Sequence, residues 1–277
     1  MDFTQIIWIF FVVVTLWPML KQQNLGRSRL RIHQLIEKKR GSRLITMIHR
    51  QEKVSILGMH ISRYIDIEDS EQILRAIRLT PNDMPIDIVL HTPGGLVLAA
   101  EQIARALIRH EAKVTVIIPH YAMSGGTLLA LAADEIIMDC NAVLGPVDPQ
   151  LGQFPAASII KAVEQKNVDR VDDTTLIMAD MARKAIKQME DFMTSVLEDK
   201  KYENARELAK MLTEGRWTHD YPITCEILSE MGLKVNHDFP TEVYDLMDLY
   251  PQPAQLRPSV EYIPLPYGDR SQKPKSM

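Results

Sequence analysis

The 277-residue sequence predicts an α/β fold built on a parallel sheet. Short apolar runs, "PIDIVLH" (85–91), "AKVTVII" (112–118) and "EIIMD" (135–139), read as buried strands. Helical patterns separate them, and that alternation requires connections that cross the sheet face. The first two runs are also followed by a Gly-Gly turn from which a helix starts, "HTPGG" (91–95) and "MSGG" (123–126).

Taken in order, the chain starts with "TQIIWIFFVVVTLWPML" (4–20), which has no charged residue and carries Trp8 and Trp17 near its ends. A membrane-spanning helix needs about 20 apolar residues, a length that tilt or local thinning brings within reach here. Asp2 precedes the run and basic residues follow it, the reverse of a cleavable signal peptide, so residues 1–22 are expected to be a retained N-terminal transmembrane helix. From Lys21 to Lys53 ten Lys or Arg stand against Glu37 and Glu52. This places the flank, and the body behind it, on the cytoplasmic side of a single-pass membrane protein and gives it contact with anionic lipid.

Residues 23–43 are then a basic juxtamembrane segment with a helix near 28–40, and 44–249 form the main domain. "RLITMIHR" (43–50) and "VSILGM" (54–59) read as paired strands. "IEDSEQILRAIRL" (67–79) spaces Ile67, Ile73, Leu74 and Ile77 near the helical period behind an acidic start. "LVLAAEQIARALIRH" (96–110) and "SGGTLLALAAD" (124–134) are helices between the strands. Beyond Pro155 only helices are predicted, near 155–165, 173–199, 203–213 and 222–232. The last segment, 250–277, holds six prolines and reads as an extended tail.

A net charge of −4 argues against a nucleic-acid partner. Cys140 and Cys225 are the only cysteines and support neither a disulfide framework nor a zinc site, so no metal and no cofactor are expected. No ATPase motif is present, so an unfolding partner would be a separate protein. The glycine turns lack the G-x-G-x-x-G spacing of a phosphate loop. What they suit is an oxyanion hole, because a residue without Cβ lets backbone N–H groups approach an acyl oxygen. The Gly125 amide is one expected donor, and Gly95 or Gly94 the other. Ser124 is then either a nucleophile or an ordinary helix cap.

"HTPGGLVLAAEQIARAL", "AMSGGTLLALAADEIIMD", "LGPVDPQLG" and "LTEGRWTHDYPITCEILSEMGL" resemble, in that order, the signature blocks of the Clp-fold serine peptidases. The nearest groups are the signal peptide peptidase A enzymes and the membrane-anchored serine dehydrogenase proteinases. The resemblance spans about residues 45–235 and leaves out the anchor and the tail. It implies a Clp/crotonase-like fold of repeated β-β-α units, Ser124 as nucleophile, and a homo-oligomer.

A serine hydroxyl needs a neighbouring base. The Clp protease uses a histidine about 25 residues after its serine. This chain has Asp148 there and no histidine between His120 and His219, so a Ser-His-Asp arrangement is not expected. The signal peptide peptidase A group uses a lysine, kept neutral by an apolar pocket. Lys166 matches its place, and Lys161 is the rival. Asp148 either orients the base or shapes the turn before Pro149. His91, His120 and His219 are weakly placed candidates: His120 reads as a loop or strand-end residue and His219 as exposed surface or cleft wall, while Asp134 and Glu135 cap or solvate a helix–strand boundary.

The expected function is a membrane-anchored serine peptidase that cleaves peptide bonds through a Ser124–Lys166 dyad and an acyl-enzyme, with peptide or protein substrates. The alternatives are a crotonase-like acyl-CoA enzyme, which uses the same paired amides without a serine nucleophile, and a catalytically inactive membrane scaffold.

Overall fold

The computed structural model describes residues 3–50, 54–56, 59–61 and 64–250, with side chains for residues 11, 20, 22–50 and 64–250. The Pro-rich tail expected at 251–277 lies outside the described residues. A helix, α1 (Phe3–Arg40), leads into strand β1 (Arg43–Ile48). Two short strands, β2 (Val54–Ile56) and β3 (Met59–Ile61), precede α2 (Ile67–Arg78). The α/β body follows as β4 (Ile86–His91), α3 (Val97–Arg109), β5 (Val114–Ile118), β6 (Tyr121–Ala122), α4 (Gly125–Leu131), β7 (Glu135–Met138) and β8 (Val143–Leu144). After a small β9 (Gln150–Leu151) and β10 (Phe154–Pro155) come the helices α5 (Ala156–Glu164), α6 (Asp173–Asp199), α7 (Ala205–Thr213), α8 (Cys225–Glu230) and α9 (Glu242–Asp248).

The sheet runs β1-β4-β5-β7, and all its pairs are parallel. Parallel strands are buried on both faces, which is why these runs carry apolar residues toward both sides of the sheet, with Asp87 and Thr115 as buried polar exceptions. Ile86, Ile88, Leu90, Val116, Ile118, Ile136 and Met138 enter the larger core with α3, α4, α6 and α7. Their alternates Leu44, Val89, Ile117 and Ile137 pack with Ile36 of α1 and with Val243, Leu246 and Met247 of α9. The strands therefore end at one common edge, where the loops carrying 91–95 and 119–126 emerge.

At that edge β6 pairs in parallel with β8, and a bridge joins Thr92 to Ala122. The sequence β5-β6-α4 is thus one β-β-α unit. Helix α2 starts with a reciprocal cap: Asp69 N donates to Asp66 Oδ1 at 2.9 Å and Asp66 N to Asp69 Oδ2 at 3.0 Å.

Two expectations are corrected. β1 does not pair with the segment after it; it pairs with β4, while β2 and β3 form their own antiparallel ribbon. A central parallel partner satisfies β1 on a buried edge, which a local hairpin would not. The N-terminal transmembrane helix is not supported: among the described residues, no helix is long and apolar enough to cross a membrane. Most side chains of the charge-free run lie outside the described ones. What the backbone shows is that the expected anchor and the basic segment are not separate units, because α1 is continuous over 38 residues. Its C-terminal part belongs to the body. Arg40 and Ser42 hold the buried Asp87 of β4, with Arg40 Nη2 3.1 Å from Oδ1 and Ser42 Oγ 2.5 Å from Oδ2.

Candidate functional site

The two glycine turns are laced together by backbone. Met123 N donates to Thr92 O at 2.9 Å, and Thr92 N to Tyr121 O at 3.3 Å. From the other side Thr127 Oγ1 donates to Ala122 O at 2.9 Å and accepts from Gly145 N at 3.0 Å, which ties the start of α4 to the strand end and to the "GPVDPQ" segment. Three distant stretches of sequence therefore meet at one point. Between them opens a cleft of about 420 Å³, of the size that holds a small ligand or a few side chains. Ser124 lies in its wall.

Ser124 has φ 50° and ψ −115°, one of two non-glycine residues with positive φ among those described. Such a backbone is costly for a residue with a Cβ, about 1–3 kcal/mol, and persists only where the surroundings impose it. A sharp, strained strand-to-helix turn of this kind exposes a nucleophile's hydroxyl. The capping role fails on the same geometry: Ser124 occupies the N-cap position of α4, yet its side chain makes no capping hydrogen bond. Its hydroxyl is left to the cleft.

The glycines divide their roles. Gly94 N donates to Thr92 Oγ1 at 3.2 Å, so that donor is engaged. Gly94 contributes room instead, since its φ is 102° and a Cβ there would come within 2.7 Å of Ser124 Cβ. Gly95 is pinned by Ile65: Ile65 N donates to Gly94 O at 2.7 Å and Leu96 N to Ile65 O at 2.8 Å. Among the described residues neither Gly95 N nor Gly125 N donates to another group. Gly95 N lies 3.7 Å from the point a Cβ on Gly125 would occupy, so the two free amides are neighbours beside Ser124.

The expected base is placed elsewhere. Lys166 and Lys161 are exposed, at and just beyond α5, and neither lines the cleft. Asp148 does, with its side chain 3% exposed, and so does His219. His219 Nδ1 is 2.8 Å from Asp148 Oδ1, and Gln150 Nε2 donates to Asp148 Oδ2 at 2.7 Å. His219 was readable as a cleft-wall residue, but nothing local in the sequence tied it to a carboxylate 71 positions away. His91 and His120 pack edge to face with ring centroids 5.5 Å apart, outside the cleft lining. Asp134 and Glu135 behave as expected of a boundary: Asp134 Oδ2 accepts from Val114 N at 2.8 Å, and Glu135 pairs with Lys113 at 2.9 Å. Among the described residues no cluster of His, Cys, Asp and Glu suits a metal ion.

The sequence pattern of the ClpP-like SDH-type serine proteinases matches residues 1–277. The chain belongs to that family. Two uncharacterized proteins of Methanocaldococcus jannaschii are each 58% identical to this proteinase, one over 260 residues covering 94% of this chain and 91% of its own, the other over 263 residues covering 95% and 90%. Among solved structures, a mutant of the membrane-bound stomatin-specific protease 1510-N shares 20% identity at a TM-score of 0.47, covering 66% of this chain and 79% of that one.

Proposed function

We propose that this family member is a peptidase that cleaves peptide bonds through an acyl-enzyme on Ser124. The observation that carries the reading is the strained Ser124 backbone, which turns an uncapped hydroxyl into a cleft where two free amides stand side by side. The hydroxyl oxygen attacks the substrate carbonyl, and the Gly95 and Gly125 N–H groups hold the negative charge that develops on its oxygen. The walls added by Val97, Ala100, Leu128, Val147 and Met189 favour an apolar substrate side chain next to the scissile bond. A Ser124–Lys166 dyad draws no support from where Lys166 stands. It would need Lys166 to arrive from a second copy or by movement of the segment after α5.

Anchoring in a membrane, with the peptidase domain facing the cytoplasm, is the second part of the proposal. Its support is the charge-free run 4–20 with its basic flank. Assembly into a homo-oligomer is the third, and Ile177 and Met181, 61% and 51% exposed one turn apart on α6, offer an apolar surface for it.

The deciding experiment is covalent labelling of the purified full-length protein with a fluorophosphonate. Labelling that disappears in Ser124→Ala is the expected result. Undiminished labelling in that variant, or none in the wild type under conditions where the protein is folded, removes Ser124 as nucleophile; a crotonase-like site would give the latter.

A further inference from the structure

Ser124 needs a proton acceptor, and the cleft that holds it also holds an imidazole paired with a buried carboxylate. Asp148 accepts on both oxygens: from Gln150 Nε2 on Oδ2 at 2.7 Å, and on Oδ1 from His219 Nδ1 at 2.8 Å. Gln150 Nε2 also stands 3.2 Å from His219 Nδ1, but its two hydrogens are engaged by Asp148 Oδ2 at 2.7 Å and Asp148 O at 3.3 Å. A carboxylate offers no proton, so the hydrogen between ring and carboxylate sits on Nδ1. That fixes the tautomer of the neutral ring and leaves Nε2 with its lone pair. Among the described residues Nε2 has no hydrogen-bond partner, in a cleft whose wall includes Ser124.

We propose that His219 is the general base for Ser124 and that Asp148 is its positioning residue. The inference rests on the reading of Ser124 as the nucleophile. His219 Nε2 takes the hydroxyl proton as Oγ bonds to the substrate's carbonyl carbon, and Asp148 stabilises the imidazolium that results. The imidazolium then gives its proton to the leaving amine as the C–N bond breaks, leaving an acyl ester on Ser124. In the second half Nε2 takes a proton from water, whose oxygen bonds to the acyl carbon. The proton returns to Oγ as the ester breaks and the acid product leaves. Each half-reaction begins and ends with Nδ1–H against Asp148. No Ser124–His219 hydrogen bond exists in the free enzyme, and catalytic contacts of this kind commonly tighten only when substrate is bound.

The test measures the rate of fluorophosphonate labelling of the full-length protein as a function of pH. Among the described residues, the other titratable groups that line the cleft with His219 are Asp148, Asp220 and Tyr64, while Arg216 on its own loop lies over Trp217. His219→Gln is expected to slow labelling by about 10²–10⁴-fold. Asp148→Asn is expected to slow it as well and to displace the acid limb of the pH profile, a change that mere loosening of the loop would not produce. His219→Gln that labels at the wild-type rate overturns the assignment while Ser124 remains the nucleophile, and so does Lys166→Ala or Lys161→Ala being the variant that loses labelling. Labelling that persists in Ser124→Ala overturns the peptidase reading itself and the base with it. Should the His219 variant not fold, a crystal structure of the wild-type protein phosphonylated at Ser124 decides the matter. Nε2 within about 3.2 Å of the bonded Ser124 oxygen supports the proposal, and any other group in that place overturns it.

Discussion

At Gly94 a side chain would be squeezed between Ser124 Cβ at 2.7 Å, Met123 O at 3.0 Å and Gly125 N at 3.2 Å, on a backbone with φ 102°. Gly94→Ala should therefore lower stability by about 1–3 kcal/mol and push Ser124 off its position. The expected readout is a reduced urea midpoint together with fluorophosphonate labelling near background. A second residue-scale effect concerns His91. It is 2% exposed, and among the described residues neither ring nitrogen has a partner. Burial first, then the nearby positive charge of Arg50, pushes its pKa down from 6.5 to about 3. A depressed value means that the fold accepts only the neutral ring. The stability this represents is complete above the unfolded value and is lost as the pH falls from 6.5 toward 3. Between pH 7 and 5 the wild type should lose about 1–2 kcal/mol more than His91→Phe, measured by urea unfolding at each pH.

Among the elements, the joint between α1 and the sheet is the most exposed to single changes. Asp87 is buried in β4, and Arg40, with Ser42, supplies its partners. Removing the guanidinium strands a carboxylate in a core strand, a change that costs about 3–5 kcal/mol at such sites. Arg40→Ala is expected to lower the denaturation midpoint accordingly, and Asp87→Asn in the same background should recover part of the loss. The elements that the sequence made legible are those with local signals. Helix α6 is one, since Asp172 caps it through Thr175 N at 3.0 Å and its apolar pattern runs for seven turns. The buried runs of β4, β5 and β7 are others, because a parallel strand needs apolar residues on both faces. The partner of β1 was not legible, as parallel pairing joins residues more than forty positions apart with no turn between to mark it. Helix α9 is seven residues long, too short for a periodic signal, although Val243, Leu246 and Met247 are what close the second core. The site divides in the same way. Ser124 and its glycines announce themselves as contiguous motifs, whereas the Asp148–His219 pair exists only once the chain after α7 folds back over the cleft.

For the molecule as a whole, the boundary of the folded body falls inside α1. Arg29 Nη2 donates to Leu249 O at 2.7 Å and its guanidinium lies 4.0 Å from the centre of the Tyr250 ring, while Ile36 is 1% exposed against α9. A chain lacking residues 1–22 should keep its melting temperature within a few degrees and, with the proposed anchor gone, leave the membrane fraction. A chain lacking residues 1–40 uncovers one face of the sheet and should be recovered only as aggregate; fractionation and thermal melts of the two separate these outcomes. The unbroken course of α1 has a further consequence for substrate choice. From residue 21 to Arg40 the helix advances by about 30 Å at 1.5 Å per residue without a break. With the N-terminus seated in a bilayer, such a strut fixes the height at which Ser124 meets its target, so that polypeptides would be sorted by how far their cleavable bond stands off the lipid surface.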